Sequence, residues 1–317
     1  MTNQWLKVSN KQNLPIGVFD SGLGGLTVVK QLFRQLPQEQ IYYFGDTARV
    51  PYGNKSVETV QKFAIQIARF LAERSVKMIV VACNTASSVA LELLQDQFDL
   101  PIIGVIEPGA RSALAISPTK KIGVIGTTGT INSGKYVEVL TALDKSVQVF
   151  SQACPLFVPL VEEGWGESPV TEIVAREYLQ NLVPKIDTLI LGCTHYPIIK
   201  NVIQRIIDSN IQIIDTAIET ANQVRLILNQ QGLLNDLERT PEHRFYVSDL
   251  PQKFEEIAMR FLGEPIANVE RINLADCCNV ILRCRRSTAY FKLLIFFEWS
   301  RYQTRLRAHP KITRCDR

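Results

Sequence analysis

Cys83 and Cys193 occupy matching places in two halves of the chain, in the strings Val80-Val81-Ala82-Cys83-Asn84-Thr85 and Ile190-Leu191-Gly192-Cys193-Thr194-His195. Each follows an apolar run that closes on a small residue. This predicts a thiol at the carboxyl end of a buried strand, where open α/β sheets carry out their chemistry. Polar residues and a helix start come next in both strings, so amide groups and a helix dipole would favour a thiolate. Cysteine is also a common small core residue, and Cys154, followed by Pro155 and without polar company, reads as structural. Two thiols facing each other across a cleft suit one task above others: removing a proton from one face of a carbon and returning one to the other. That reaction is a racemisation or an epimerisation.

Other residues would assist. Asp20-Ser21-Gly22-Leu23-Gly24-Gly25-Leu26-Thr27 directly follows an apolar run. Its glycines would let backbone amides approach a ligand, and the helix behind it could hold an anion. Gly-x-Gly-Gly is neither the dinucleotide fingerprint nor a P-loop. Asp20 itself is a carboxylate at a strand end that could orient or accept a proton near Cys83, its plainer alternative being a cap on the next turn. His195 lies two residues from Cys193 and shares its side if the segment is extended, where an imidazole helps ionise a thiol; a helix-entry role is the alternative. Three scattered histidines and no Cys-x-x-Cys argue against a zinc site, so no metal is expected.

Strands and helices must position these groups. Short apolar runs at 16–20, 41–44, 78–82, 102–106, 122–125, 187–191 and 211–214 alternate with helix-like segments. In 56–74, for example, Val60, Phe63, Ala64, Ile67, Phe70 and Leu71 fall near a 3.6-residue period behind a capping serine. Alternation of this kind implies parallel sheets with crossover helices. The halves also echo each other, since Gly17 in Ile16–Asp20 and Gly123 in Ile122–Gly126 each open a run about seventy residues before a cysteine. The expected fold is therefore α/β, two doubly wound parallel-sheet domains of similar topology facing a central cleft. With a boundary near Glu107-Pro108-Gly109, residues 14–107 plus 219–275 would form the domain carrying Cys83, and 108–218 the domain carrying Cys193. Within 219–275 a further helix, a strand at 244–247 and a last helix at 251–262 are expected.

The chain has 317 residues, 46% of them hydrophobic, and a net charge of +4. The charge is unevenly distributed. Residues 281–317 hold ten Lys or Arg against Glu298 and Asp316, leaving the remainder at −4. Whole-chain charge therefore gives no reason to expect nucleic acid as a partner. Residues 276–317, with Cys277, Cys278, Cys284, Cys315 and an aromatic run at 290–299, break the α/β pattern. They fit a poorly ordered or altered terminus, a partner-binding helix, or a surface for membrane or RNA. No apolar run reaches the roughly 18 residues of a membrane span, and the amino terminus lacks the order of an export signal. Seven cysteines without a disulfide framework fit a reducing compartment, and a cytoplasmic location is expected.

Four strings in this order resemble glutamate racemase: Asp-Ser-Gly-Leu-Gly-Gly at 20–25, Gly-Asp-Thr-Ala-Arg-Val-Pro-Tyr-Gly at 45–53, Ala-Cys-Asn-Thr-Ala-Ser at 82–87, and Leu-Gly-Cys-Thr-His-Tyr-Pro at 191–197. The likeness runs from about Pro15 to about Asn273. It implies a cofactor-independent isomerase of two α/β domains, expected as a homodimer, that supplies D-glutamate for peptidoglycan, cell-wall biogenesis and cell shape. By the resemblance, Cys83 and Cys193 are the two acid–base residues. Asp20 assists Cys83, and His195 with Glu162 assists Cys193. Asp20, Ser21, Tyr52, Gly53, Asn84, Thr85, Thr127, Thr130, Thr194 and His195 hold the substrate glutamate. Other readings share parts of this pattern. An aspartate racemase or another two-cysteine isomerase would keep the paired thiols, a cysteine hydrolase would use only one of them, and a non-catalytic amino-acid-binding protein would keep the pocket alone.

Overall fold

A strand buried on both faces cannot alternate apolar with polar residues, and Ile16–Asp20, Met78–Val81 and Thr188–Gly192 are buried at every position. Such strands belong in the middle of parallel sheets with helices on both sides. The computed structural model describes residues 11–236, 240–266 and 268–274. Its strands are β1 (Ile16–Asp20), β2 (Ile41–Gly45), β3 (Met78–Val81), β4 (Ile102–Gly104), β5 (Lys121–Gly126), β6 (Gln148–Ala153), β7 (Thr188–Gly192), β8 (Gln212–Asp215), β9 (Arg244–Val247) and β10 (Val269–Arg271). They form two sheets, in the orders β10-β9-β2-β1-β3-β4 and β6-β5-β7-β8. Every neighbouring pair is parallel.

The helices are α1 (Leu26–Gln35), α2 (Val57–Ala72), α3 (Asn84–Gln97), α4 (Ile106–Ile116), α5 (Thr128–Asn132), α6 (Lys135–Leu143), α7 (Phe157–Glu162), α8 (Pro169–Leu179), α9 (Lys200–Ile206), α10 (Thr216–Gln230) and α11 (Pro251–Leu262). Sequence chemistry explains α2. The Ser56 side chain accepts the Thr59 amide at 3.3 Å, and Val60, Ala64, Ile67, Phe70 and Leu71 line the buried stripe.

Each sheet reverses its winding after its second strand, and the first sheet does so again when the chain returns from β4 to β9. The chain leaves β1 for β2 on one side and then crosses to β3 on the other, just as it leaves β5 for β6 and crosses to β7. The crevice beyond the carboxyl ends of such a strand pair is where open α/β sheets bind ligands. Asp20 ends β1 and Cys83 follows β3; Thr127 follows β5 and Cys193 follows β7.

The structure departs from the sequence expectation in three places. The apolar run 102–106 is a strand only to Gly104, because Ile106 already begins α4. Glu107-Pro108-Gly109 is accordingly helical, with Pro108 in the first turn, where its missing N–H is no loss. Strand β6 was not expected at all. It is a half-exposed edge strand containing Gln148, Ser151 and Gln152, so it lacks the apolar run that marks a central strand. The short edge strand β10 is unmarked for the same reason.

Residues up to Ile272 belong to one compact unit, and of the second unit, which opens at Asn273, only two residues are described. The readings made for 276–317 lie outside the described residues. Among those residues no helix is long and apolar enough to cross a membrane.

A buried ion pair ties the first sheet to the segment returning to it. Lys77 Nζ lies 2.5 Å from Glu39 Oε2, with both side chains nearly inaccessible. Lys77 also donates to the Gln12 and Leu233 carbonyls at 2.7 and 2.8 Å, and Glu39 accepts the Asn235 amide at 2.8 Å. Burial pushes the Lys77 ammonium below its ordinary value, against the pull of Glu39. Lys77→Met leaves the buried Glu39 without its countercharge. It should lower the unfolding free energy by about 3–5 kcal/mol, measured by urea denaturation at neutral pH.

Candidate active site

Residues from both sheets line a cavity of about 390 Å³, a size suited to a small ligand. Ser21 and Gly22 reach it after β1, residues 50–54 after β2, residues 83–85 after β3, Thr127 after β5, Pro155, Leu156, Val158, Pro159 and Glu162 after β6, and residues 193–195 after β7. A larger hollow of about 700 Å³ beside β9 has no thiol in its lining. Chemistry rather than size marks the site.

Cys83 is 5% exposed and is the N-cap of α3, its sulfur 3.5 Å from the Ala86 amide. The sequence reading expects that helix start to favour a thiolate. The balance falls the other way: burial first, then the Asp20 carboxylate, push the thiol up to about 12 against the Ala86 amide and the Ser21 hydroxyl. Asp20 is fully buried, and burial raises its carboxyl despite His195 and the amides of Gly22, Gly25 and Ser21. The Gly22 amide donates to Asp20 Oδ2 at 2.9 Å. The loop amides expected to meet a ligand are thus turned on Asp20.

Cys193 is 6% exposed, and its sulfur lies 3.8 Å from His195 Nδ1. The segment between them is a turn leading into a 3₁₀ helix at Tyr196–Ile199, not an extended strand. Turn geometry still brings the imidazole to the sulfur. His195 Nε2 meets Glu162 Oε1, at the end of α7, at 2.9 Å. Burial works against charge on the ring, but Cys193 and Glu162 outweigh it and raise His195 to about 10. Two residues unmarked in the sequence support this pair. Arg260 donates to the Glu162 carbonyl at 2.9 Å, and the Phe261 ring meets His195 edge to face at 5.6 Å.

The glycine loop has a second role. A Cβ on Gly24 would stand 2.2 Å from Thr194 Oγ1 and 2.5 Å from His195 Nδ1. The two half-sites are therefore in contact there. Thr27 Oγ1 donates to the Thr194 carbonyl at 3.0 Å, and Thr194 Oγ1 donates to Asp20 Oδ1 at 3.4 Å.

Polar groups surround the thiols. Thr85, Thr127 and Thr130 form a ring of hydroxyls at 2.9, 3.0 and 3.1 Å; Thr130, 1% exposed, sits behind the other two. Three hydroxyls carry three protons, so an entering carboxylate can take donors only by opening the ring. Tyr52 donates its hydroxyl to Asp46, which also accepts from Arg49 and from Ser248 at 2.8 Å. Tyr52 therefore offers the cavity its ring and backbone rather than its hydroxyl. Gly53 lies close against Thr127, where a Cβ would stand 2.8 Å from Thr127 Cβ. The spacing Asp46-x-x-Arg49 is the one local signal that could have marked Asp46. Cys154 is fully buried, and burial raises its thiol above the ordinary value.

Two parallel α/β lobes that each bring a thiol to one small cavity define the two-thiol class of racemases and epimerases. Residues 16–224 match the Asp/Glu/Hydantoin racemase family, and the chain belongs to it. A glutamate racemase of Geobacter metallireducens is 49% identical over 82% of this chain and 96% of its own length. The crystal structure of a glutamate racemase isoform from Bacillus anthracis superposes with a TM-score of 0.81 at 44% identity, covering 83% of this chain and 98% of that one. A glutamate racemase from Francisella tularensis, solved in complex with D-glutamate, gives 0.78 at 43% identity, covering 83% of this chain and 98% of that one.

Gly24→Ala should keep the fold, by far-ultraviolet circular dichroism, while forcing Thr194 and His195 away from the Asp20 loop. A displacement of about 1 Å lowers turnover by about 100-fold. His195 also makes stability depend on pH. Its folded value, about 10, lies above the ordinary 6.5. Its contribution is therefore complete below 6.5 and lost as pH rises through about 10. Urea unfolding free energies should fall across that window, and His195→Asn should flatten the fall.

Proposed function

We propose that the chain interconverts L- and D-glutamate, with Cys83 and Cys193 acting on opposite faces of the α-carbon. The observation that carries this reading is the cavity itself, which two buried thiols enter from separate sheets, each backed by its own carboxylate. Asp20 stands behind Cys83, and Glu162 stands behind Cys193 through His195.

An amino-acid α-proton is a very weak acid, so the protein must supply a desolvated base, an acid already in place opposite, and donors aimed at the charge that develops on the carboxylate. At neutral pH, Cys83 holds its proton and His195 is charged beside the Cys193 sulfur. One direction starts with the Cys193 thiolate taking the α-proton and Cys83 giving its own to the opposite face. The other direction runs in reverse. Each turnover moves one proton onto a sulfur and one off the other, so the net charge of the site is unchanged. The amide of Asn84, the hydroxyls of Ser21, Thr85, Thr127, Thr130 and Thr194, and the backbone at Tyr52 and Gly53 would hold the two carboxylates and the ammonium group. Glutamate as substrate is supported by the glutamate racemases similar to this chain over nearly their whole lengths. On the same reading the enzyme works in the cytoplasm as a homodimer and supplies D-glutamate for peptidoglycan.

Circular dichroism of L- and D-glutamate solutions tests this directly. The purified protein should abolish the optical activity of both, with a bell-shaped pH dependence of kcat/KM from one thiolate and one thiol. Cys83→Ser and Cys193→Ser should each slow both directions by about 10³-fold. An unchanged signal from both enantiomers with the wild-type protein sinks the reading, and activity on aspartate alone reassigns the substrate.

A further inference from the structure

Tyr136 lies in α6, which belongs to the β5–β6 crossover of the second sheet, yet its hydroxyl donates to Asn84 Oδ1 at 2.7 Å, at the start of α3 on the first sheet. The side chain is 2% exposed. Its ring also packs on Gly192, where a Cβ would stand 3.1 Å from Tyr136 Cε2. One tyrosine therefore touches the residue after Cys83 and the residue before Cys193.

Asn84 shows why that contact matters. It lines the cavity and is 3% exposed, and its Nδ2 is buried with no hydrogen-bond partner. Leaving a buried donor unsatisfied is unfavourable unless something else claims it. A tyrosine hydroxyl has one proton to give. Burial, with the charge at Cys193 adding to it, raises the Tyr136 phenol and keeps that proton in place. Donated to Oδ1, the proton fixes which end of the amide remains free. The end left over is the nitrogen, a donor, at the amino end of a helix that favours negative charge. Turned the other way, the amide would set an acceptor oxygen against the oxygens of a bound carboxylate.

We propose that Tyr136 is a positioning residue that orients the Asn84 amide so that Nδ2 is presented to a carboxylate oxygen of the substrate. This rests on the glutamate reading of the cavity. The lobe carrying Cys193 thereby sets a binding group on the lobe carrying Cys83.

The test compares Tyr136→Phe, Asn84→Ala, Asn84→Asp and the Tyr136→Phe/Asn84→Ala pair with wild type, by calorimetric binding of D-glutamate and by steady-state kinetics in both directions. Tyr136→Phe keeps the ring that packs on Gly192. It should raise Kd and KM about 5- to 10-fold for both enantiomers with kcat nearly unchanged, the mark of lost ground-state binding. Asn84→Ala should do at least as much, and Tyr136→Phe should add nothing in its presence, because the hydroxyl acts only through the amide. Wild-type affinity in Tyr136→Phe, or effects that add in the pair, overturn the proposal. Should Tyr136→Phe fail to fold, Asn84→Asp decides, since it leaves Tyr136 an acceptor but replaces the donor by oxygen; affinity equal to wild type overturns the proposal. If wild type binds neither enantiomer, the glutamate reading itself fails and the proposal with it.

Discussion

The space that a side chain on Gly24 would need is taken by the Thr194 hydroxyl and the His195 ring, and the geometry of the site depends on that contact. Cys83 and Cys193 are carried by different sheets, so no single element fixes their relation. The seam does, through Gly24, the Thr27 hydroxyl on the Thr194 carbonyl, and the Thr194 hydroxyl on Asp20. The same seam couples the half-sites electrically. The charge on His195 pulls the Asp20 carboxyl down against the burial that raises it. A separation of the lobes would at once misalign the thiols and change the balance of charge around each.

The two halves share a topology but use different chemistry. Cys83 has a carboxylate for company, which together with burial raises its thiol to about 12. Cys193 has an imidazole, itself held by a carboxylate. Enantiomers are equal in free energy, so the equilibrium of their exchange is indifferent to this asymmetry. It affects the path instead. One sulfur has a carboxylate nearby and the other a charged imidazole, so the two directions of exchange meet different electrostatic surroundings.

The sequence revealed those parts of the site that depend on local patterns. An apolar run closed by a small residue marked Cys83, Cys193 and Asp20 as strand-end groups, because a strand buried on both faces has no other way to be written. His195 was paired with Cys193 on the assumption of an extended segment; the partner is correct, but a turn makes the contact. Glu162 came through family resemblance alone, since nothing near Pro159-Leu160-Val161-Glu162 announces a histidine 33 residues on. Tyr136 on Asn84 joins positions 52 apart, and Asp46 on Ser248 joins positions 202 apart, distances across which periodicity carries no information. Strand β6 escaped notice because an edge strand can be polar, and α4 began sooner than expected because proline is as welcome in a first helical turn as in a linker.

The hydrogen bond from Ser248 to Asp46 has a consequence for how the protein is made. Asp46 holds Tyr52 at the cavity wall, and Ser248 follows β9, which joins the first sheet beside β2. All strands of the second sheet lie between residues 121 and 215 in one uninterrupted stretch. On the ribosome, the sheet that carries Cys193 is complete while the sheet that carries Cys83 still lacks two of its six strands. The wall containing Tyr52 gains its last support only when residue 248 has left the exit tunnel, and the Glu162–His195 pair gains its own only when Arg260 and Phe261 follow, so the second sheet closes early while neither half-site is complete until the returning segment has emerged.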